Sequence, residues 1–284
     1  MRRRGVAEAP APGDDSAARR LTVIYVTCDE NRALEKSLSH LPPSQPVTIL
    51  DVGSSQDAGS VTKGRPVRVL RCKWGPIAEE VLRDNWAVLP EGWLLRLDPD
   101  EWIERSAFGP LTNLALTSPP SVGAYRLSRV NLYRERPLRG TVWGQSDCQT
   151  RVFRKGTARY SGVVHEPPSI LGRIVDAPQD YAIVHDWVSS RADMWEKHLR
   201  YVQLERMARR EAGQQAGAWK CLLLSAKAFV FSFWSRRGYL DGLRGLGLSV
   251  FYGFYVFLSN HVRSFDLGKG GGPSPSSALT DSQS

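Results

Sequence analysis

The chain has 284 residues, 42% hydrophobic and 24% charged, which is ordinary globular material with length for one large α/β domain plus an appendage or for two small domains. Its net charge of +9 and pI near 9.6 point to an anionic partner: a nucleotide, a nucleic acid or an acidic membrane surface. Four scattered cysteines (Cys28, Cys72, Cys148, Cys221) with no CxxC pair argue against a structural zinc site and suit a reducing compartment.

Residues 1–20 are rich in Arg, Ala, Pro and Asp, and no apolar run follows Arg2-Arg3-Arg4, so this stretch reads as a flexible basic lead and not as a signal peptide. Leu21 to Val26 is apolar and β-branched throughout, as in a strand buried on both faces of a parallel sheet. It ends at Thr27-Cys28-Asp29-Glu30-Asn31, and Ala33 to Leu38 has a helical pattern. Val47 to Leu50 is a second strand ending in Asp51-Val52-Gly53-Ser54-Ser55-Gln56-Asp57-Ala58-Gly59, and Val67 to Leu70 is a third. Ile77 to Leu89 reads as a helix and Trp93 to Leu97 as a fourth strand, which stops at Asp98-Pro99-Asp100-Glu101. Alternating strands and helices predict a doubly wound sheet, whose ligands sit outside the carboxyl ends of the strands. Acids occupy three such ends: Asp29/Glu30, Asp51 with Asp57, and Asp98/Asp100/Glu101.

In an extended segment, Asp98 and Asp100 point to the same side, and two like charges held together favour a hard cation between them. A simple polar turn after a strand is the alternative. Beyond Pro110, Gly123–Tyr133, Gln149–Arg154, Gly162–Glu166 and Tyr181–His185 read as short strands that extend the sheet, and 193–210 as a charged helix. Between Ala218 and Leu267 lie two apolar runs, each shorter than the roughly 20 residues needed to span a bilayer. Aromatics beside Lys227, Arg236, Arg237 and Arg263 fit helices lying in a membrane interface; a helical pair packed on the domain fits as well. Residues 268–284 are rich in Gly, Ser and Pro and predict a disordered tail.

Taken together, the loops resemble those of family-2 glycosyltransferases of the GT-A fold, with closest similarity to bacterial lipopolysaccharide core enzymes. The resemblance runs from about Leu21 to Leu258. It rests on Thr27–Asn31 in place of an Asn-Glu loop, Asp51–Gly59 in place of Asp-x-Gly-Ser-x-Asp-Gly, and Asp98-Pro99-Asp100-Glu101-Trp102 in place of Asp-Ala-Asp-Glu-Trp. Arg151–Arg154, Val164-His165-Glu166 and Gly238–Gly242 match three later signatures. The departures are Asp29 before Glu30, the spacing before Asp57, Ala58 for Gly, and Pro99 for Ala.

The resemblance implies a GT-A-type mixed sheet over 21–190 and a helical, interface-seeking region over 191–267. It implies an inverting, metal-dependent enzyme that moves a sugar from a nucleotide-sugar to a saccharide hydroxyl, free or lipid-linked, at the inner face of the cytoplasmic membrane in polysaccharide or lipopolysaccharide assembly. Glu166 is then the general base, with His165 beside it holding the diphosphate, a metal or Glu166. Asp100 is the ligand for Mg²⁺ or Mn²⁺, and Asp98 contacts ribose or joins through water. Asp51 accepts from the nucleobase or ribose, or caps the following helix. Glu30 touches the nucleoside or braces Asp51, and Asp57 organises its loop. Arg151 and Arg154 hold phosphate or form a solvated basic face. His185 ranks below His165, Trp143 stacks on a sugar or packs in the core, and Asp241 reads as a helix-turn device. Competing readings are a basic nucleic-acid-binding module and a nucleotidyltransferase. Carboxylates where a phosphate backbone would lie weigh against the first, and the absence of a glycine between Thr27 and Asn31 against the second.

Overall fold

A computed structural model describes residues 20–75, 77–144, 148–161, 167–211 and 216–261. The expected mixed sheet flanked by helices is what the chain forms. Strand β1 (Leu21–Thr27) leads to α1 (Asn31–His40), β2 (Val47–Asp51), β3 (Val67–Arg71), α2 (Ala78–Asp84) and β4 (Trp93–Arg96). Then come β5 (Glu101–Ile103), α3 (Arg105–Leu116), β6 (Val122–Tyr133), β7 (Arg136–Pro137), α4 (Thr141–Gly144) and β8 (Cys148–Arg154). A short β9/β10 pair (Ala158–Arg159, Ser169–Ile170), β11 (Arg173–Asp176) and β12 (Ile183–Val188) complete the strands. Helices α5 (Arg191–Glu211), α6 (Ala218–Val230) and α7 (Gly242–Asn260) follow, with a π turn at Phe231–Ser235 and a 3-10 turn at Gly238–Asp241 between the last two.

The sheet order is β3-β2-β1-β4-β8-β6-β12-β5. The first four strands are parallel, and β8 runs antiparallel to both β4 and β6. Period-two alternation divides the core. Leu21, Val23 and Tyr25 of β1 pack against Leu34 and Leu38 of α1 and Phe108 and Leu111 of α3, while Ile24 faces Val81 and Leu82 of α2 on the other side. A third core joins Tyr133, Leu138, Trp187 and Val188 to Met194 of α5 and to Leu248 and Phe251 of α7. It crosses the boundary expected at 190, so α5 and α7 are packed on the sheet.

Helix α3 and strands β5 and β11 carry no clear periodic signal. Pro110 stands inside α3, where it removes one backbone hydrogen bond, yet Phe108, Leu111 and Ala115 bury the helix against β1. Tertiary burial outweighs the local penalty.

Candidate active site

Parallel register brings three loops to one edge. Thr27 opposes Asp51, and Ile24 opposes Arg96, so the loops after β1, β2 and β4 emerge side by side. The first two interlock. Asp29, at φ 56°, accepts from the Ser55 backbone N–H and hydroxyl, both at 2.7 Å, and its own N–H donates to Ser54 Oγ at 3.0 Å. These bonds hold the Asp29 carboxyl below its ordinary range. Asp57 accepts from the Gly59 N–H at 3.0 Å and so starts the turn that follows. Asp51 is fully buried; Oδ1 accepts from the Ser54 N–H at 2.9 Å, and Oδ2 has no partner. A buried acceptor left open is costly unless a ligand fills it.

Asp98 to Glu101 is not extended. The Glu101 N–H donates to the Asp98 carbonyl at 2.9 Å, closing a β-turn with Pro99 at its second position, where the fixed φ of proline fits. The two carboxylates therefore part, which corrects the expectation that both face one side. Asp98 turns toward β8. Leu95 opposes Val152 in the antiparallel ladder, which brings Arg96 and Arg151 to neighbouring positions. Arg151 Nη2 lies 2.9 Å from Asp98 Oδ2, and Arg96 Nη2 lies 3.5 Å from Oδ1. Burial alone would raise the Asp98 carboxyl; Arg151 and Arg96 overcome it and hold it well below the usual carboxylate range.

The sequence places Arg151 on phosphate or on a solvated basic strand face. Arg151 is 5% exposed, and besides Asp98 it donates to Glu101 Oε1 at 3.0 Å. Glu101 is buried completely, accepts the Asp98 N–H at 3.1 Å and faces Arg129 at 3.4 Å. Burial raises its carboxyl, with Arg151 opposing. Arg151 therefore holds the turn from below. Arg154 is spent likewise on the Val122 and Ser118 carbonyls, and lies over the Trp93 ring at 4.5 Å.

Asp100 turns the other way, toward β12. Register across three strands places Asn131, His185 and Glu101 side by side. The Asn131 amide donates to the Trp143 carbonyl at 2.6 Å, which leaves its Oδ1 to accept from His185 Nδ1 at 2.7 Å. His185 therefore carries its proton on Nδ1 and presents Nε2 to Asp100 Oδ2, 3.2 Å away. A neutral imidazole lone pair facing a carboxylate is repulsive unless a proton or a cation lies between them. Oriented this way by an outer hydrogen bond, the imidazole has the arrangement of a metal-bound histidine. Two ligands on neighbouring corners of an octahedron lie about 3.0 Å apart when each is about 2.1 Å from the ion. The separation suits a proton on Nε2 as well as a divalent cation, and of the two cations expected Mn²⁺ takes an imidazole more readily than Mg²⁺. Among the described residues no cluster of three or more His, Cys, Asp or Glu side chains is poised for an ion, so substrate oxygens and water would fill the remaining positions.

Lys197, from α5, reaches within 4.0 Å of Asp100 Oδ2 and donates to the Trp187 carbonyl at 3.0 Å. Glu30 stands at the rim, open to solvent on one side. Desolvation on its other side, then the charges of Asp100 and Asp98, push its carboxyl up to about 7, with Lys197 opposing. Glu166 and His165 lie outside the described residues, as does the strand expected over 162–166. Trp143 stacks on Trp187 at 4.9 Å and meets His198 and Tyr252 edge-on, in the third core. Reading along the sequence missed Asn131 and Lys197 altogether. Only the strand register and the packing of α5 bring them to Asp100.

No known family profile matches the chain. Among solved structures, it is similar to the mannosyltransferase PcManGT from Pyrobaculum calidifontis, determined with GDP-Man and Mn²⁺, at 12% identity and TM-score 0.44, over 84% of this chain and 85% of that one. It is also similar to glucosyl-3-phosphoglycerate synthase from Mycobacterium tuberculosis, in complex with Mn²⁺, UDP and glucosyl-3-phosphoglycerate, at 19% identity and TM-score 0.30, over 42% of this chain and 46% of that one. A third, 4-diphosphocytidyl-2C-methyl-D-erythritol synthase, is similar at 15% identity and TM-score 0.37, over 55% of this chain and 90% of that one. At these scores the likenesses decide nothing about activity, and the side chains must carry the functional reading.

Proposed function

We propose that the chain is an inverting glycosyltransferase that moves a sugar from a nucleotide-sugar to a saccharide hydroxyl, free or lipid-linked. The observation that carries this reading is the Asp100–His185 pair, oriented by Asn131 at the carboxyl edge of the sheet, with Lys197 beside it. Asp100 and His185 would hold Mg²⁺ or Mn²⁺, which supplies charge neutralisation for a diphosphate leaving group. Lys197 adds a second positive charge where the departing phosphate oxygens gather. The open Oδ2 of Asp51 accepts from the base or ribose, and Glu30 stands between the nucleoside loops and the metal pair. Asp98, paired with Arg151, holds the turn that presents Asp100. Glu166 as general base, with His165 beside it, rests on the sequence resemblance alone. A single displacement through one base inverts the anomeric carbon.

A thermal-shift panel of nucleotide-sugars with and without Mn²⁺ tests the site. A bound donor raises the melting temperature by a few degrees at saturating concentration. The shift should require the cation and should vanish in Asp100→Asn and His185→Ala. Glu166→Gln should keep the shift and lose transfer. A cation-dependent shift that survives both ligand substitutions sinks the metal assignment. Release of pyrophosphate in place of a nucleoside diphosphate would instead select nucleotidyl transfer.

A further inference from the structure

Helices α6 and α7 form an antiparallel hairpin. Ser225 Oγ donates to the Gly253 carbonyl at 2.7 Å, and Ser249 meets Ser232 at 3.0 Å. One face of α7 is committed to the third core through Leu248 and Phe251. The outer face is not. On α6 an exposed stripe runs through Trp219, Leu222, Leu223 and Val230 to Phe231 and Trp234; on α7 it runs through Leu243, Leu246, Val250 and Phe254. Spacings of three and four keep each stripe on one side of its helix. Trp219 is 72% exposed, Trp234 62% and Leu243 87%. Contiguous apolar surface of this kind marks a docking site.

Charge identifies the partner. Between Ala216 and His261 the basic residues are Lys220, Lys227, Arg236, Arg237 and Arg244, and the single acid is Asp241. Asp241 is buried and bonded to backbone N–H groups, while Lys220, Lys227 and Arg237 are exposed. A second copy of the chain would bring these cations against their own kind. Packing against the third core argues against a full membrane span. The stretch Gly238–Asn260 is long and apolar enough by composition, but 33% of its apolar window is buried in the protein, and Asp241 ties its start to the domain.

We propose that the outer face of the α6–α7 hairpin docks on an acidic lipid surface. Trp219, Trp234 and Leu243 enter the boundary between headgroups and acyl chains, and Lys220, Lys227 and Arg237 meet the headgroup phosphates. This assignment rests on the hairpin surface and is independent of the sugar-transfer reading.

The test is co-sedimentation of the full chain with vesicles of phosphatidylcholine, alone or mixed with phosphatidylglycerol. Acidic vesicles should bind at least about tenfold more tightly than neutral ones, and salt should weaken that binding. Trp219→Glu combined with Leu243→Glu should lower binding about tenfold or more and leave the melting temperature unchanged, since both side chains are exposed. Lys220→Glu, Lys227→Glu and Arg237→Glu together should abolish the preference for acidic lipid. The nucleotide-sugar thermal shift should persist in all these variants, which separates this test from that of the transfer site. Absence of pelleting, equal binding to both vesicles, or undiminished binding of the apolar double variant overturns the proposal. So does a concentration-dependent dimer that Leu243→Glu dissolves.

Discussion

A carboxylate beside guanidiniums keeps its charge to low pH, and one facing other carboxylates gives it up early. Asp98 and Glu30 are those two cases at one sheet edge: guanidiniums overcome burial at Asp98, while at Glu30 desolvation is the larger cause and the nearby carboxylates add to it. Glu30 has the more accessible consequence. Its carboxyl is raised from 4.5 to about 7, so between those values the folded chain binds more proton than the unfolded one. The resulting contribution to stability is present in full below 4.5 and lost as pH rises to 7. Glu30→Gln removes it. The variant should therefore gain on the wild type in urea midpoint as pH climbs through this window, and the gap should be constant on either side. Mn²⁺ bound at Asp100 neutralises part of the cause, so the pH dependence should shrink when the cation is added. A gap that does not change with pH would show that Glu30 ionises freely.

Elements are joined here by side chains that act far from their own segment. The pattern around Asp241 reads as a local helix-turn device; the structure corrects this. Its carboxylate accepts the Arg139 N–H at 3.0 and 3.1 Å and the Gly140 N–H at 2.8 Å, across about a hundred residues of chain. Gly140 itself runs so close to the backbone of Arg237 and Gly238 that no Cβ fits there. The hairpin is thus riveted to the turn before α4. Asp241→Ala leaves two backbone donors without an acceptor and should cost about 3 kcal/mol in chemical denaturation. Asp241→Asn keeps one acceptor oxygen and should fall between the two. A loss below about 0.5 kcal/mol in the alanine variant would mean that water replaces the carboxylate there.

At the scale of the molecule, the third core makes the C-terminal helices part of the fold. Met194, Leu248 and Phe251 cover Tyr133, Leu138 and Trp187, and α5 also delivers Lys197 to the Asp100–His185 pair. Losing each of three buried side chains of this size costs about 2–5 kcal/mol, a sum comparable to the 5–15 kcal/mol stability of a typical domain. A fragment ending at residue 190 should therefore fail to unfold cooperatively on heating and should bind a hydrophobic dye at room temperature. A sharp thermal transition in that fragment would show that 21–190 folds without the C-terminal helices. Between Ala216 and His261 the hairpin holds most of its charge as exposed or half-buried cations, so the basic character of the chain has a definite surface location there.

By itself the sequence determined the strands of the parallel half and the acids at their carboxyl ends. Runs such as Leu21–Val26 are too apolar to be anything but buried, and each stops at residues that cannot continue a sheet. Local chemistry decides such features, so they are legible along the chain. It also singled out Asp100 as a candidate cation ligand, from the Asp-Pro-Asp-Glu spacing. The partners of Asp100 were not legible. His185 and Asn131 reach it through the register of β5, β12 and β6, and Lys197 through the packing of α5. The same holds for Arg151, whose strand face reads as basic and exposed until Asp98 and Glu101 close over it. Turn geometry separated Asp98 from Asp100, where spacing alone placed them together. Contacts between residues distant in sequence depend on register and burial, which no local pattern encodes, and in this protein those contacts decide which carboxylate pairs with guanidiniums and which faces His185.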